Sequence, residues 1–297
     1  MKLIALTALV ASMLGAVPPT PTPAPSAPGS MPLAIADITP MGDDKEKVGV
    51  GFPIIVTFDR DVTDKAAVEA LLQVQAERPV DGAWRWVSPR KVVYRTKFYW
   101  KAHQKVTFTA RLSALPGNRA KDVTRRFQVG TANISVVDTR KHVMKVTRDG
   151  KLAKKIPISA GRGGLVKNGV DVYLTTSGTH LTMSKKPVET MTSSWLGVTD
   201  PKDPRYYNEQ IPWAVRISDS GEYVHQSAGF YHFLGRSNQS HGCVRATPDG
   251  AKWFFGITQR GDVVKITGTK RKLDWTNGWS YWQLNWTEWK KGSALAR

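Results

Sequence analysis

Short segments in which apolar and polar residues alternate are the feature that most constrains the fold of this chain. Between residues 31 and 130 such segments include Trp84 to Val87 and Val106 to Leu112, and turn-forming sequences such as Ser88-Pro89-Arg90 separate them. Alternation with a period of two buries one face of a strand. Several short strands at this spacing predict a β-sandwich of about 100 residues in the first half of the chain.

The second half continues the β pattern and adds one short helix. The predicted strands share runs of β-branched or alternating residues and are Ile134 to Val137, His142 to Val146, Trp213 to Ile217, Tyr223 to His225 and Val263 to Ile266. Thr247 and Pro248 begin the predicted helix, since a hydroxyl cap followed by proline is typical of a first turn. Met183 to Gln210 is rich in turn-forming residues. We therefore predict a mainly β protein.

The N-terminal segment predicts export from the cytoplasm. Lys2 precedes a mostly apolar stretch, Leu3 to Val17, of signal-peptide length, whereas a membrane-spanning helix needs about 20 apolar residues. Pro18 to Ser30 is rich in proline and small residues, which favours an extended tether. We expect a cleaved signal peptide or an uncleaved N-terminal anchor. The protein would be secreted or membrane-tethered, in the extracytoplasmic cell wall or periplasm.

The chain is strongly basic, with 43 Lys and Arg against 24 Asp and Glu and a formal net charge of +19. Such a balance attracts polyanions. The basic residues are scattered, for example at Lys154-Lys155 and Lys270-Arg271-Lys272, whereas nucleic-acid-binding proteins gather them on one face or arm. We expect no nucleic acid partner and instead anionic cell-wall polymers. General solubilising charge is the alternative interpretation.

The C-terminal tail carries five tryptophans, at Trp275, Trp279, Trp282, Trp286 and Trp289. Steps of four and three would place them on one face of a helix, if a helix forms. We expect this stripe to pack back onto the folded part of the chain. A stacking surface for sugars or for a partner is the alternative.

The chain has one cysteine, Cys243, in the sequence Ser240-His241-Gly242-Cys243, and His225 lies upstream of it. A deprotonated thiol is a strong nucleophile, and an imidazole can accept its proton near neutral pH. A glycine before the cysteine lets the backbone approach a ligand and can leave amides free for an oxyanion. A single cysteine also rules out an internal disulfide.

Three interpretations of these residues compete. The first is a buried structural cysteine with incidental histidines, although the polar stretch Arg236 to Ser240 is poor core material. The second is a zinc site that uses His225, His232 or His241 with Cys243, although structural zinc sites usually combine two close pairs of ligands. The third, which we favour, is a nucleophilic thiol with a histidine base that acts on an acyl group.

The set formed by His225 and Ser240-His241-Gly242-Cys243 resembles the signature of the YkuD-type L,D-transpeptidases, a family of cell-wall enzymes. The likeness continues in three further segments, Ile217 to His225, Ala251 to Phe255 and Arg260 to Val264. The first half is similar to the immunoglobulin-like domain that precedes the catalytic domain in actinobacterial members. It shares with that domain Phe58-Asp59, Trp84-Arg85-Trp86 and Tyr99-Trp100.

This resemblance implies an immunoglobulin-like β-sandwich followed by a β-sandwich catalytic domain with short helices. The expected segments are a signal peptide or anchor at 1–17, a Pro-rich tether at 18–30, an immunoglobulin-like domain at 31–130, a catalytic domain at 131–268 and a Trp-rich tail at 269–297.

The resemblance also implies roles for individual residues. Cys243 would be the nucleophile, His225 its base, and His241 would shape the pocket and help set the pKa of the thiol. The backbone carbonyl of Gln226 would orient His225, at a position where many members have serine. The backbone amides of Gly242 and Cys243 would hold the oxyanion.

The expected substrate-binding residues surround this set. Tyr207 matches an aromatic residue of a lid, Met191 a pocket methionine, and Ser220 and Gly221 a substrate-side turn. Ser240 and Arg245 complete the expected set, with the Arg245 guanidinium as a contact for a substrate carboxylate.

The implied reaction is peptidoglycan biosynthesis, a process that supports cell shape. Peptidoglycan stem tetrapeptides would be donor and acceptor, D-Ala would leave, and a Cys243 thioester would yield a 3→3 cross-link. The resemblance implies no metal or organic cofactor, inhibition by carbapenem β-lactams, and by default a monomer. Two alternatives stay open: an L,D-carboxypeptidase that uses water as acceptor, and a wall-binding protein with a vestigial site.

Overall fold

The computed structural model describes residues 32–41, 46–229 and 231–295. The expected signal segment at 1–17 and the whole of the expected tether at 18–30 lie outside the described residues. From Pro32 onward the chain belongs to one compact unit, and it is mainly β, as predicted. None of the helices in the described part of the chain is long and apolar enough to cross a membrane.

The first half is a sandwich of two four-stranded sheets, which confirms the predicted architecture. The strands are β1 Ile35–Thr39, β2 Lys47–Val48, β3 Ile54–Phe58, β4 Leu72–Ala76, β5 Gly82–Ser88, β6 Lys91–Thr96, β7 Gln104–Ala110 and β8 Val123–Val129. One sheet has the order β1-β3-β6-β5 and the other β2-β8-β7-β4. Alternating residues such as Val106 and Phe108 are buried in the core between them. The helix α1, Lys65–Ala70, begins at Asp64, whose carboxylate accepts the Ala67 amide at 2.9 Å.

The second half is built on one nine-stranded sheet with the order β14-β19-β9-β10-β11-β18-β17-β16-β15. The strands of this half are β9 Asn133–Asp138, β10 Val143–Arg148, β11 Lys151–Ser159, β12 Val166–Lys167, β13 Val170–Asp171, β14 Gly178–Leu181, β15 Ser184–Thr192, β16 Asn208–Arg216, β17 Tyr223–Gln226, β18 Val244–Ala246 and β19 Val263–Thr267. β12 and β13 pair separately as a small hairpin.

The helix α2, Pro248–Ile257, covers one face of this sheet. Thr247 caps it as predicted, because its hydroxyl accepts the Gly250 amide at 3.2 Å. Phe254 packs there with the inward residues Val224 and Val244 in one buried cluster. Since side chains alternate along a strand, the neighbours of these valines project to the opposite face. That opposite face carries the candidate site.

The segment expected to be rich in turns, Met183 to Gln210, has turns in its middle but also contains the long strand β15 and the start of β16. β15 and β16 pair as an antiparallel hairpin from Ser184–Arg216 to Thr192–Asn208. The first five residues of β15 are exposed and none of its residues is buried, so the strand has no buried face and its sequence lacks apolar alternation. Backbone pairing alone defines this strand, and the sequence pattern does not reveal it.

The tail does not form the single helix that would place the five tryptophans on one face. Only a 3-10 turn at Ser280–Gln283 and the five-residue helix α3, Trp286–Lys290, are helical. All five tryptophans nevertheless pack against the first half or its arginines. Trp289 is fully buried, and its indole N–H donates to the Ala83 carbonyl at 2.9 Å. The stripe therefore packs back onto the folded part of the chain, with Trp289 buried and the other four tryptophans partly buried.

A buried cation organises the tail. Arg95 is 2% exposed, and its guanidinium carbon lies 4.7, 5.6 and 4.8 Å from the ring centroids of Trp282, Trp286 and Trp289. It also donates to the Leu284 carbonyl at 2.7 Å. Cation–π contacts of this kind strengthen when water is excluded. Arg95 thereby ties the C-terminal segment to β6.

Replacing Trp289 by alanine tests this packing. We expect Trp289→Ala to lower the free energy of unfolding by about 3–5 kcal/mol, because it opens a large cavity and leaves a buried carbonyl without its donor. Trp195 is 48% exposed, and Trp195→Ala should cost less than about 1 kcal/mol. Urea unfolding curves measure both. Equal losses in the two variants would contradict a structural role for the tail.

Candidate active site

The chain places His225 and the Cys243 loop together through parallel pairing of β17 with β18. In this register His225 lies beside Arg245, and Val224 lies beside Val244. The two valines face α2 in the core, so His225 and Arg245 project to the other face. Cys243 directly precedes β18. Residues far apart in sequence thus meet at adjacent strands in the middle of the sheet.

His225 is 3% exposed and has a defined tautomer. Its Nδ1 lies 2.6 Å from the carbonyl oxygen of Gln226. A carbonyl only accepts, so Nδ1 donates and Nε2 carries the lone pair. This is the ring-orienting contact expected at Gln226. Burial, together with the nearby Arg245 charge, lowers the pKa of His225 to about 4, so the ring is neutral at pH 7.

Cys243 also rests in its neutral form. Its Sγ lies 3.7 Å from the Gly221 carbonyl oxygen, and no hydrogen bond joins it to His225 in the described part of the chain. Burial raises the pKa of the thiol to about 12, and the Glu222 charge acts in the same direction, whereas the Tyr223 amide and Arg245 oppose it. Any attack by this sulfur would therefore require the thiol to lose its proton.

The loop before Cys243 is fixed by hydrogen bonds at Gly242. The φ angle of Gly242 is +132°, a value that residues with a side chain rarely adopt. The Gly242 amide donates to Ser240 Oγ at 3.1 Å, and Ser240 Oγ in turn donates to the Cys243 carbonyl at 2.6 Å. Gly242 N–H is thus already engaged, contrary to its expected role for the oxyanion. The Cys243 amide has no hydrogen-bond partner among the described residues.

His241 lies within an aromatic wall. The centroid of its ring lies 4.5 Å from that of Tyr173 and 5.4 Å from that of Tyr207. The indole N–H of Trp195 donates to the Tyr207 hydroxyl at 2.5 Å. Partial burial and the charges of Arg162 and Arg245 lower the pKa of His241 to about 4. This histidine is therefore a neutral, stacked ring.

Cys243 opens into a cavity of about 290 Å³. Most of the predicted site residues line this cavity, namely Met191, Tyr207, Ser220, Gly221, His241, Gly242 and Cys243. Its walls also include residues that sequence reasoning missed, namely Glu189, Trp195, Tyr223 and Arg271. The cavity brings a thiol, aromatic walls and polar groups to one place, as a small-molecule or peptide site requires.

Two expected substrate contacts lie elsewhere. Ser240 is 1% exposed and holds the loop through hydrogen bonds, so it does not face the cavity. Arg245 is also absent from the lining, where the guanidinium present is that of Arg271. Arg271 is anchored by bonds to the Val172 and Leu174 carbonyls at 3.0 and 3.1 Å. Arg271 lies within the run Lys270-Arg271-Lys272. Such charge runs are usually solvated, so the sequence carried no signal for this role.

The tail supports the turn beside the thiol. Asn277 accepts the Ser220 amide at 3.0 Å and donates to the Ser220 hydroxyl at 2.9 Å. Asp219 accepts the Gly278 amide at 3.1 Å. The turn that carries the Gly221 carbonyl is thereby held by a segment whose tryptophans pack on the first half.

The two competing interpretations find no support in the described residues. A buried structural cysteine would not open into a cavity, as Cys243 does. Within residues 32–41, 46–229 and 231–295, no three His, Cys, Asp or Glu side chains are arranged to hold a metal ion. His232, one of the zinc candidates, stacks on Phe233 instead.

The neutral resting thiol predicts a characteristic pH profile. While the pH is below the thiol pKa of about 12, the thiolate fraction rises about tenfold for each unit by which the pH increases. We therefore expect the rate of alkylation of the folded protein by iodoacetamide to rise continuously between pH 7 and pH 10. The denatured protein should level off near the ordinary thiol pKa of about 8.5. A plateau of the folded protein below pH 8 would contradict the neutral resting state.

Comparison with known proteins identifies the family. A model of the bacterial Ig domain matches residues 30–116, and a model of the YkuD L,D-transpeptidase catalytic domain matches residues 132–266. The chain thus carries a bacterial Ig domain followed by an L,D-transpeptidase catalytic domain of the YkuD family.

The curated relatives are mycobacterial. L,D-transpeptidase 2 of Mycobacterium tuberculosis (strain CDC 1551 / Oshkosh) is 30% identical over 86% of this chain, which covers 62% of that relative. L,D-transpeptidase 5 of strain ATCC 25618 / H37Rv is 30% identical over 85% of this chain, which covers 55% of it. The chain thus spans less than two thirds of the length of these two relatives.

Solved structures share the fold. An L,D-transpeptidase in complex with imipenem superposes with a TM-score of 0.66 at 28% identity, over 80% of this chain and 100% of that one. L,D-transpeptidase 3 from Mycobacterium tuberculosis, in complex with a faropenem-derived adduct, gives a TM-score of 0.64 at 26% identity, over 79% of this chain and 98% of that one.

Proposed function

We propose that this chain is a peptidoglycan L,D-transpeptidase that acts through a thioester on Cys243. The observation that carries the proposal is the cavity in which the thiol lies between an aromatic wall and the Ser220–Gly221 turn. The buried, neutral His225, with its lone pair on Nε2, supplies the base. Family membership of the catalytic domain supports the same chemistry.

In the first step the thiol attacks the donor. Nε2 of His225 takes the proton of Cys243 as Sγ bonds to the carbonyl carbon of the third residue of a stem tetrapeptide. The Cys243 amide, which has no other partner among the described residues, donates to the oxyanion. The bond to the fourth residue breaks, His225 returns its proton to the leaving amine, and D-Ala departs.

In the second step the side-chain amine of the third residue of a neighbouring stem, diaminopimelate in this proposal, attacks the thioester. His225 accepts a proton from the amine, and the departing thiolate is reprotonated, which regenerates the resting pair. The product is a 3→3 cross-link. Closure of the aromatic wall formed by Trp195 and Tyr207 over the cavity would favour the amine over water.

Other residues bind and shape the substrate in this proposal. Met191 and Tyr207 contact the donor peptide, Ser220 and Gly221 form its far side, and His241 shapes the wall. Arg271, rather than Arg245, offers the guanidinium for a substrate carboxylate. We keep the expected segment boundaries, with the first-half sandwich as a spacer.

The setting of the protein completes the proposal. We propose an exported, monomeric protein that works outside the cytoplasm, where its net charge of +19 favours anionic wall polymers. The complex of one relative with the carbapenem imipenem, and of another with an adduct derived from the penem faropenem, support acylation of Cys243 by these two classes of β-lactam.

Carbapenem acylation tests the nucleophile. We expect intact-protein mass spectra to show a single drug-sized mass gain on the folded wild-type protein, because a thioester retains the opened ring. Cys243→Ala should show no gain. Its urea unfolding curve, compared with that of the wild type, checks that the variant is folded. A gain that persists in Cys243→Ala would place the nucleophile elsewhere. No gain on folded wild type would favour the vestigial wall-binding interpretation.

Product analysis tests the acceptor. With purified stem tetrapeptide that carries diaminopimelate, we expect a cross-linked dimer and free D-Ala, because the amine acceptor occupies the closed cavity. Cys243→Ala, which lacks the nucleophile, should give neither product. A tripeptide without dimer would replace the transpeptidase with an L,D-carboxypeptidase.

A further inference from the structure

Two adjacent threonines connect the two segments that meet at the thiol. Thr175 and Thr176 lie before β14 and are 1% and 2% exposed. The Thr175 hydroxyl donates to the Gly242 carbonyl at 2.6 Å, next to Cys243. The Thr176 amide donates to the Glu222 carboxylate at 2.7 Å. This dipeptide therefore holds both the nucleophile loop and the turn that faces it.

Glu222 lies at the centre of a buried network. It is 4% exposed, its Oε2 accepts the Thr176 hydroxyl at 2.5 Å, and His180 Nε2 lies 3.3 Å from the same oxygen. His180 is itself fully buried. Although burial acts to raise the pKa of Glu222, these contacts hold it below its usual value, so the carboxyl is charged. Nothing in the proposed reaction uses this costly buried charge.

The main chain around Glu222 forms the near contacts of the thiol. The preceding carbonyl, that of Gly221, lies 3.7 Å from Cys243 Sγ. The following amide, that of Tyr223, acts to lower the pKa of the same thiol. Glu222 also lines the cavity with Cys243. A side chain fixed between Gly221 and Tyr223 holds the main-chain groups of both in place.

Glu222 is the one deeply buried carboxylate around the thiol in the described part of the chain. The other ionisable side chains there are Glu189, Tyr207, Tyr223, His225, His241, Arg245 and Arg271. Glu189 forms an ion pair with Lys186 at 3.0 Å, and the Lys186 side chain is 61% exposed, so solvent and the pair screen its charge.

We propose that Glu222 is a positioning residue of the Cys243 site, which holds the Gly221–Tyr223 main chain beside the sulfur and adds a buried carboxylate, paired with His180 at 3.3 Å, to the lining of the same cavity. The charge disfavours a free thiolate and keeps the nucleophile protonated until His225 and an acyl group are both in place. The inference rests on the proposed function for its catalytic consequence. Its electrostatic part concerns the thiol alone.

Alkylation by iodoacetamide at pH 8 tests the electrostatic part. Glu222→Gln keeps the shape of the side chain and removes the charge, which should lower the thiol pKa by about one unit. The thiolate fraction then rises about tenfold while its nucleophilicity falls, for a net rate about threefold higher. Glu189→Gln removes a screened carboxylate from the same cavity and should leave the rate unchanged.

Thr176→Val separates charge from packing. It removes the hydroxyl that holds Glu222 but keeps the carboxylate, so we expect an unchanged alkylation rate. Acylation by a carbapenem should be about tenfold slower in both Thr176→Val and Glu222→Gln, because each loses a hydrogen bond that fixes the thiol contacts. A faster alkylation together with a slower acylation is the signature of Glu222→Gln.

Distinct results would overturn each part. Equal acceleration of alkylation in Glu222→Gln and Thr176→Val would mean loosened packing, and no acceleration in a folded Glu222→Gln would remove the electrostatic role. Wild-type acylation in Thr176→Val would remove the positioning role, and this variant carries the test if circular dichroism shows Glu222→Gln unfolded. If wild type itself forms no adduct, the proposed function fails, while the alkylation comparison still decides the charge effect.

Discussion

The parallel pairing of β17 with β18 is the constraint on which the site depends. β17 pairs with β16 in an antiparallel arrangement, and β18 begins directly after the Cys243 loop, so the register of β17 and β18 decides where His225 lies relative to Cys243. Val224 and Val244 anchor this register because both must face α2 in the core. A shift by one residue would turn His225 into the core and expose a valine in its place.

The electrostatics of the site follow from burial rather than from strong pairing. His225 and Cys243 both rest neutral, since desolvation disfavours the imidazolium and the thiolate alike. The protein therefore does not store a reactive thiolate. Two features are fixed instead. The Gln226 carbonyl fixes the tautomer of His225, and Ser240 and Thr175 fix the conformation of the loop around Gly242. In the proposed reaction, these fixed positions would lower the cost of moving the thiol proton to His225.

The tail links the two halves of the folded chain through two different kinds of contact. Its tryptophans and the buried Arg95 attach it to the first-half sandwich. Its Asn277 holds Ser220 in the turn beside the thiol. The first half thus supports the site indirectly, through a segment that belongs by sequence to the end of the second half.

The mainly β class and the capped helix at Thr247 could be predicted from the sequence, and His225 and Cys243 could be proposed as the reactive pair, because alternation, caps and a lone Ser-His-Gly-Cys run are local patterns. The sequence also pointed to Tyr207 and Met191 through resemblance. Only the tertiary structure revealed the exposed strand β15, which pairs by its backbone without a buried face. Only it showed that the Gly242 amide is occupied and that Arg271, not Arg245, lines the cavity. The same holds for the Thr176–Glu222 contact, whose partners lie in distant segments. Long-range contacts of this kind leave no local pattern, since each depends on how strands far apart in the chain are brought side by side.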